Sequence, residues 1–151
     1  SQSITVYIGE NGKVFYGEGV LKPEDPKWLH ETNWGKDGLR KELRYHEVEG
    51  YPNAPVDEIM KAKAKLDAQK AADPKKYTQE VYDKELDDLK SGIVNGQKIP
   101  TLTVVIKPTD NASYKNLIDA LDEIQICSIG TYVIDKLNPQ EKEMLAKRGI
   151  K

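Results

Sequence analysis

Long apolar runs, cysteine and histidine are scarce in this sequence, and each shortage removes a class of function. No stretch approaches the ~20 apolar residues that span a bilayer as a helix, and Ser1-Gln2-Ser3 lacks the basic and apolar regions of a signal peptide. The single cysteine, Cys127, excludes an intrachain disulfide and a thiolate metal cluster, and is expected as a small buried hydrophobe. His30 and His46 each precede a glutamate, but a zinc-protease helix needs two histidines four apart, so both are expected on the solvated surface. Strong charge of one sign is missing too. The 23 basic and 25 acidic side chains leave a net charge of -2, which supplies no field to draw the chain to nucleic acid or anionic lipid.

What is present fits one domain: 151 residues, 38% of them apolar, suffice for a modest core under a large solvated surface. Two β-branched and aromatic runs, Ile4 to Ile8 and Lys13 to Tyr16, flank Glu10-Asn11-Gly12, where Asn-Gly supplies the positive φ of a tight turn, so a β-hairpin is expected. From Val20 to about Lys98 prolines and then charged residues dominate, which predicts an irregular loop followed by helices. Within it, Gly38 to Val48 reads as a short helix, Pro55 as the first residue of a helix to about Ala72, and Thr78 as the start of an amphipathic helix stopped at Gly92.

The last third carries the clearest pattern. Leu102, Val104 and Ile106 form a strand ended by Pro108, and Thr109 to Ser113 offers turn and capping chemistry. Tyr114, Leu117, Ile118, Leu121 and Ile124 follow at steps of three and four, predicting a helix that buries that stripe. Ile129 to Ile134 is strand-like again, so a parallel pair joined by a right-handed crossover is expected. Asn138-Pro139-Gln140-Glu141 marks the capped start of a terminal helix ending at Gly149. The class is α+β: a small mixed sheet packed by helices on one face, with residues 20–98 as a helical insertion in a single domain of residues 1–151.

The candidates for chemistry are weak. Gly9-Glu10-Asn11-Gly12-Lys13 is too short for a phosphate loop, lacks the Ser or Thr after its lysine, and leads into a strand. Cys127 has no sequence sign of an activating base. Asp119, Asp122 and Glu123 read as solvated helix carboxylates, and Asn111-Ala112-Ser113 as a turn in preference to a glycosylation acceptor. Trp28 and Trp34 are expected to pin an irregular loop to the core. No catalytic residue, cofactor or metal ligand is assigned. The exposed edge expected for pairing with a partner strand is the hairpin, through Ile4, Val6, Ile8, Val14 and Tyr16.

The run from Leu102 to Asp135 resembles the ExbD/TolR family. The family's opening of tyrosine, two residues and two apolar residues, then an apolar residue and aspartate, is matched by Tyr114, Leu117, Ile118, Leu121 and Asp122. The N-terminal hairpin is similar to the family's first periplasmic strands, so the likeness covers roughly the first 20 and last 50 residues. There are two departures: the long stretch from about Val20 to Lys98, and Ile126-Cys127-Ser128-Ile129-Gly130 where members have an Ala-Gly turn.

The resemblance implies the periplasmic, non-enzymatic part of an inner-membrane subunit. Such a subunit couples proton flow through an ExbB/TolQ-like channel to a TonB- or TolA-like partner and so powers outer-membrane transport; weak homodimerisation is expected from the exposed edge of the hairpin. A membrane anchor with the proton-carrying aspartate is expected in a region preceding Ser1, and no residue here inherits that role. A TolR-like role in envelope maintenance with peptidoglycan binding is the first alternative. A small ligand-binding protein or enzyme is the alternative of another class.

Overall fold

The structure, a computed structural model, describes residues 2–151. Strand β1 (Ser3–Ile8) and strand β2 (Val14–Glu18) form the expected antiparallel hairpin, with Val6 opposite Tyr16 and Ile8 opposite Val14. The turn works because Asn11 and Gly12 take φ of 57° and 76°, the left-handed region that Asn and Gly tolerate best. Strand β3 (Leu29–Thr32), helices α1 (Leu39–Arg44), α2 (Pro55–Ala72) and α3 (Gln79–Lys90), and the two-residue strands β4 (Ile93–Val94) and β5 (Gln97–Lys98) follow. Strand β6 (Thr103–Pro108), helix α4 (Tyr114–Ile126), strand β7 (Thr131–Ile134) and helix α5 (Pro139–Lys147) complete the chain.

The class is α+β, built on a five-stranded mixed sheet in the order β3-β2-β1-β6-β7. β6 runs parallel to both β1 and β7, so the strand, helix and strand of the last third do make a parallel pair. Alternation sorts the side chains onto two faces. Ile4, Val6, Ile8, Val14, Val104 and Ile106 pack with Leu39 and Leu43 of α1, Val56 of α2 and Ala120 and Ile124 of α4. Tyr7 and Phe15 point the other way and pack with Trp28, Leu29 and Met144 and Leu145 of α5. The helices are therefore not confined to one face, because Tyr7 and Phe15 give the second face an apolar surface that α5 covers.

The stretch 20–98 is also more than an annex. β3 pairs with β2, matching His30 to Tyr16, and α1 buries two leucines in the main core. β3 escaped the sequence reading because only Leu29 of its four residues is buried, leaving no alternation to detect. Both tryptophans pin this segment: Trp28 Nε1 donates to the Glu18 carbonyl (2.8 Å) and Trp34 Nε1 to that of Gly12 (2.7 Å). Gly17 must be glycine, since a Cβ there would lie 2.3 Å from the Trp28 ring. The separate part is α2, α3 and the β4–β5 hairpin, with a small core of Ile59, Leu66, Leu89 and Ile99.

Candidate interaction surface

The hairpin is not an edge. β1 lies between β2 and β6, β2 lies between β1 and β3, and Ile4, Val6, Ile8 and Val14 are fully buried with Tyr16 nearly so. Hairpin sequences reveal that two strands pair with each other, whereas their outer neighbours come from distant segments. The true edges are β3 and β7. β3 presents His30 and Glu31, and polar or charged residues of this kind discourage further strand pairing.

β7 is the opposite. All four of its residues are exposed, and Tyr132, Val133 and Ile134 keep 50%, 47% and 46% of their surface in water. The Asp135 N–H donates to the Ile106 carbonyl at 2.9 Å. Main-chain groups alternate sides along a strand, so Thr131 and Val133 also face β6, while Tyr132 and Ile134 direct N–H and C=O to the open edge. Register places Tyr132 beside Val104 and Ile134 beside Ile106, on the α4 face, and Val133 beside Val105 on the α5 face. An extended partner strand would find two outward main-chain donors, two acceptors and apolar side chains above and below.

The motif residues sit elsewhere than the apolar stripe predicts. Tyr114 is 76% exposed at the start of α4, Asp122 is exposed, and Leu117, Ile118 and Leu121 are half-buried, with Leu117 and Leu121 against the main core. The buried face carries Asn116, Ala120, Glu123 and Ile124. Its two polar members are satisfied: Asn116 donates to Asp119, and Glu123 accepts from Arg40 Nε and Nη2 at 2.7 and 3.0 Å. Counting apolar residues alone rotates the helix away from them. Glu123 is thus a buried clamp to α1, not a solvated carboxylate.

Three further titratable groups, Cys127, His46 and Glu141, are buried. Burial, with Glu123 adding to it against the opposing Arg40 and Arg44, pushes the Cys127 thiol up to about 12, so it stays protonated as a small core group. His30 is exposed and stacks on Tyr16 at 5.0 Å, but His46 is buried with Nδ1 3.7 Å from Glu18, against the surface expectation. On the second face, Glu141 is buried between the Tyr7 hydroxyl, which donates to it, and Lys107 Nζ at 2.5 Å. Among the described residues, no group of three or more His, Cys, Asp or Glu side chains is placed to hold a metal ion, and no helix is long and apolar enough to cross a membrane.

The departure at Ile126-Cys127-Ser128 has a structural explanation. α4 ends in a pair of backbone bonds, Ile129 N–H to Ile124 C=O and Ser128 N–H to Gln125 C=O, with Ser128 at φ 55° where glycine is usual. Among the described residues, the buried Ser128 hydroxyl has no hydrogen-bond partner. Compared with protein-family models, curated proteins and solved structures, the chain gives no match.

Proposed function

We propose that this chain is a non-enzymatic interaction module of the ExbD/TolR type: the periplasmic domain of an inner-membrane subunit in an energy-transducing complex. It engages a TonB- or TolA-like partner by strand addition while an ExbB/TolQ-like channel supplies proton flow. The observation that carries the reading is the open edge of β7, with exposed Tyr132, Val133 and Ile134 beside unpaired main chain. The resemblance of Tyr114, Leu117, Ile118, Leu121 and Asp122 to the family pattern supports this choice of complex. A four-residue edge yields few main-chain bonds, so the affinity is weak and a second copy of the domain competes for the same strand.

The test is an NMR titration of the labelled domain with a TonB-like periplasmic segment. Amides from Thr131 to Asp135 shift, and Ile134→Lys, which places a charge on the edge at a half-exposed position, abolishes the shifts while leaving the rest of the spectrum in place. Unchanged β7 amides at high partner concentration would sink the proposal.

A further inference from the structure

Away from the sheet, the unit of α2, α3 and the β4–β5 hairpin leaves a cleft beside its buried core. A cleft of about 930 Å³ opens beside Leu66, Leu89 and Ile99, which form an apolar floor. It has three walls. Glu58, Lys61, Lys65 and Gln69 line it from α2 at helical steps of three and four, Glu85 and Asp88 line it from α3, and Asn95 and Gln97 line it from the hairpin. At 1.5 Å per residue the α2 wall is about 16 Å long, which an extended chain of about five residues spans.

The rim is divided between groups already engaged and groups that are not. Lys61 pairs with Asp57 at 3.0 Å, and Glu58 accepts the Tyr51 hydroxyl. Among the described residues Lys65, Glu85 and Asp88 make no ion pair or side-chain hydrogen bond, and neither do the carboxamides of Gln69, Asn95 and Gln97. Primary amides offer donors and an acceptor, as a peptide backbone does. Of the acidic residues of α3, Glu85 and Asp88 line the cleft, facing the unpaired Lys65 and the Asp57-paired Lys61 of α2.

We infer that this cleft binds a short extended peptide carrying a basic side chain. The backbone of the peptide meets the free carboxamides, its apolar side chains cover the floor, and its lysine or arginine lies between Glu85 and Asp88. A neutral saccharide fits less well. It would leave both carboxylates unpaired, and of the two aromatic rings at the cleft, Tyr51 and Tyr77, the latter already has Lys76 Nζ 5.5 Å from its centre. The site is separate from the β7 edge, so either proposal can fail alone.

The test uses the labelled full chain and a capped hexapeptide alternating lysine with valine. Controls are the same peptide with glutamate for lysine, and chitotetraose. The lysine peptide shifts amides in residues 58–69 and 85–99 and binds roughly tenfold more tightly than the glutamate peptide. The preference shrinks in about 0.5 M salt and disappears in the double variant Glu85→Lys, Asp88→Lys, whose remaining spectrum is unchanged. No shift in those segments at millimolar peptide overturns the inference. So do equal binding of the glutamate peptide, a preference retained by the double variant, tighter binding of chitotetraose, or shifts confined to β7.

Discussion

Helices α4 and α5 lie on opposite faces of one sheet and are built with the same three devices. Each is capped by a side chain, Ser113 accepting from the Asn116 N–H and Asn138 from the Glu141 N–H. Each ends in the same two backbone bonds, closed by Ser128 in α4 and by Gly149 in α5. Each buries one glutamate against a base, but at different depths. The Arg40 and Glu123 side chains keep 27% and 8% of their surface, whereas Lys107 and Glu141 keep 13% and 3%. An identical device therefore has different consequences on the two faces, because the α5 pair has less water to turn to when it is broken.

The largest expected effect tests that difference. Glu141→Ala strands Lys107 and the Tyr7 hydroxyl in a dry region and lowers stability by about 3–5 kcal/mol, whereas Glu123→Ala lowers it by about 1–3 kcal/mol because Arg40 can reach solvent. Denaturant midpoints measure both, and equal losses would remove depth as the explanation. Replacing the whole cluster at once, Tyr7→Phe with Lys107→Met and Glu141→Leu, recovers most of the loss, to within about 2 kcal/mol of the starting protein. If the triple variant is as unstable as Glu141→Ala alone, packing and not an unpaired charge sets the cost.

The two C-termini predict smaller changes of opposite sign. Ser128→Gly removes an L-residue from the left-handed region and a buried hydroxyl without a partner, and raises stability by about 1–2 kcal/mol. Gly149→Ser at the exposed equivalent lowers it by about 1 kcal/mol. Thermal unfolding of the two exchanges reads the contrast directly.

The smallest effect is a pair of pH limits. Burial, reinforced by Glu141 and Glu42 respectively, raises the phenols of Tyr7 and Tyr16 above the ordinary 10.0. Their contribution is complete below pH 10.0 and is lost as pH rises toward the folded-state values. Asp57 has the opposite sign. Burial alone would raise its carboxyl, but bonds from Arg44 and Lys61 outweigh it and hold the group below 3.8, so its contribution is lost as pH falls through that lowered value. Tyr7→Phe is expected to flatten the alkaline arm of a melting-temperature profile and Asp57→Asn the acid arm.

Legibility followed the range of each signal. The hairpin turn at Asn11-Gly12, the helix opened by Pro55, the Thr78 cap and the capping box at Asn138 and Glu141 were all readable, because each is settled within about four residues of chain. β3 was not, since a short polar strand exists only through its ladder to β2. Nor were the buried roles of Asn116, Glu123 and His46, whose partners lie on other turns or elements. The interaction edge was misplaced for the same reason. A strand's residues announce that it is a strand, but which neighbours flank it is a property of the assembled sheet.

By itself, then, the sequence determined the α+β class, the local elements and their caps, since propensity, turn chemistry and periodicity act over a few residues. Tertiary structure alone decided the strand order that buries the hairpin and leaves β7 open, the use of both sheet faces, and which carboxylates are clamped. Those outcomes depend on contacts between residues such as Lys107 and Glu141, or Arg40 and Glu123, that are far apart in the chain and adjacent only once the core has formed.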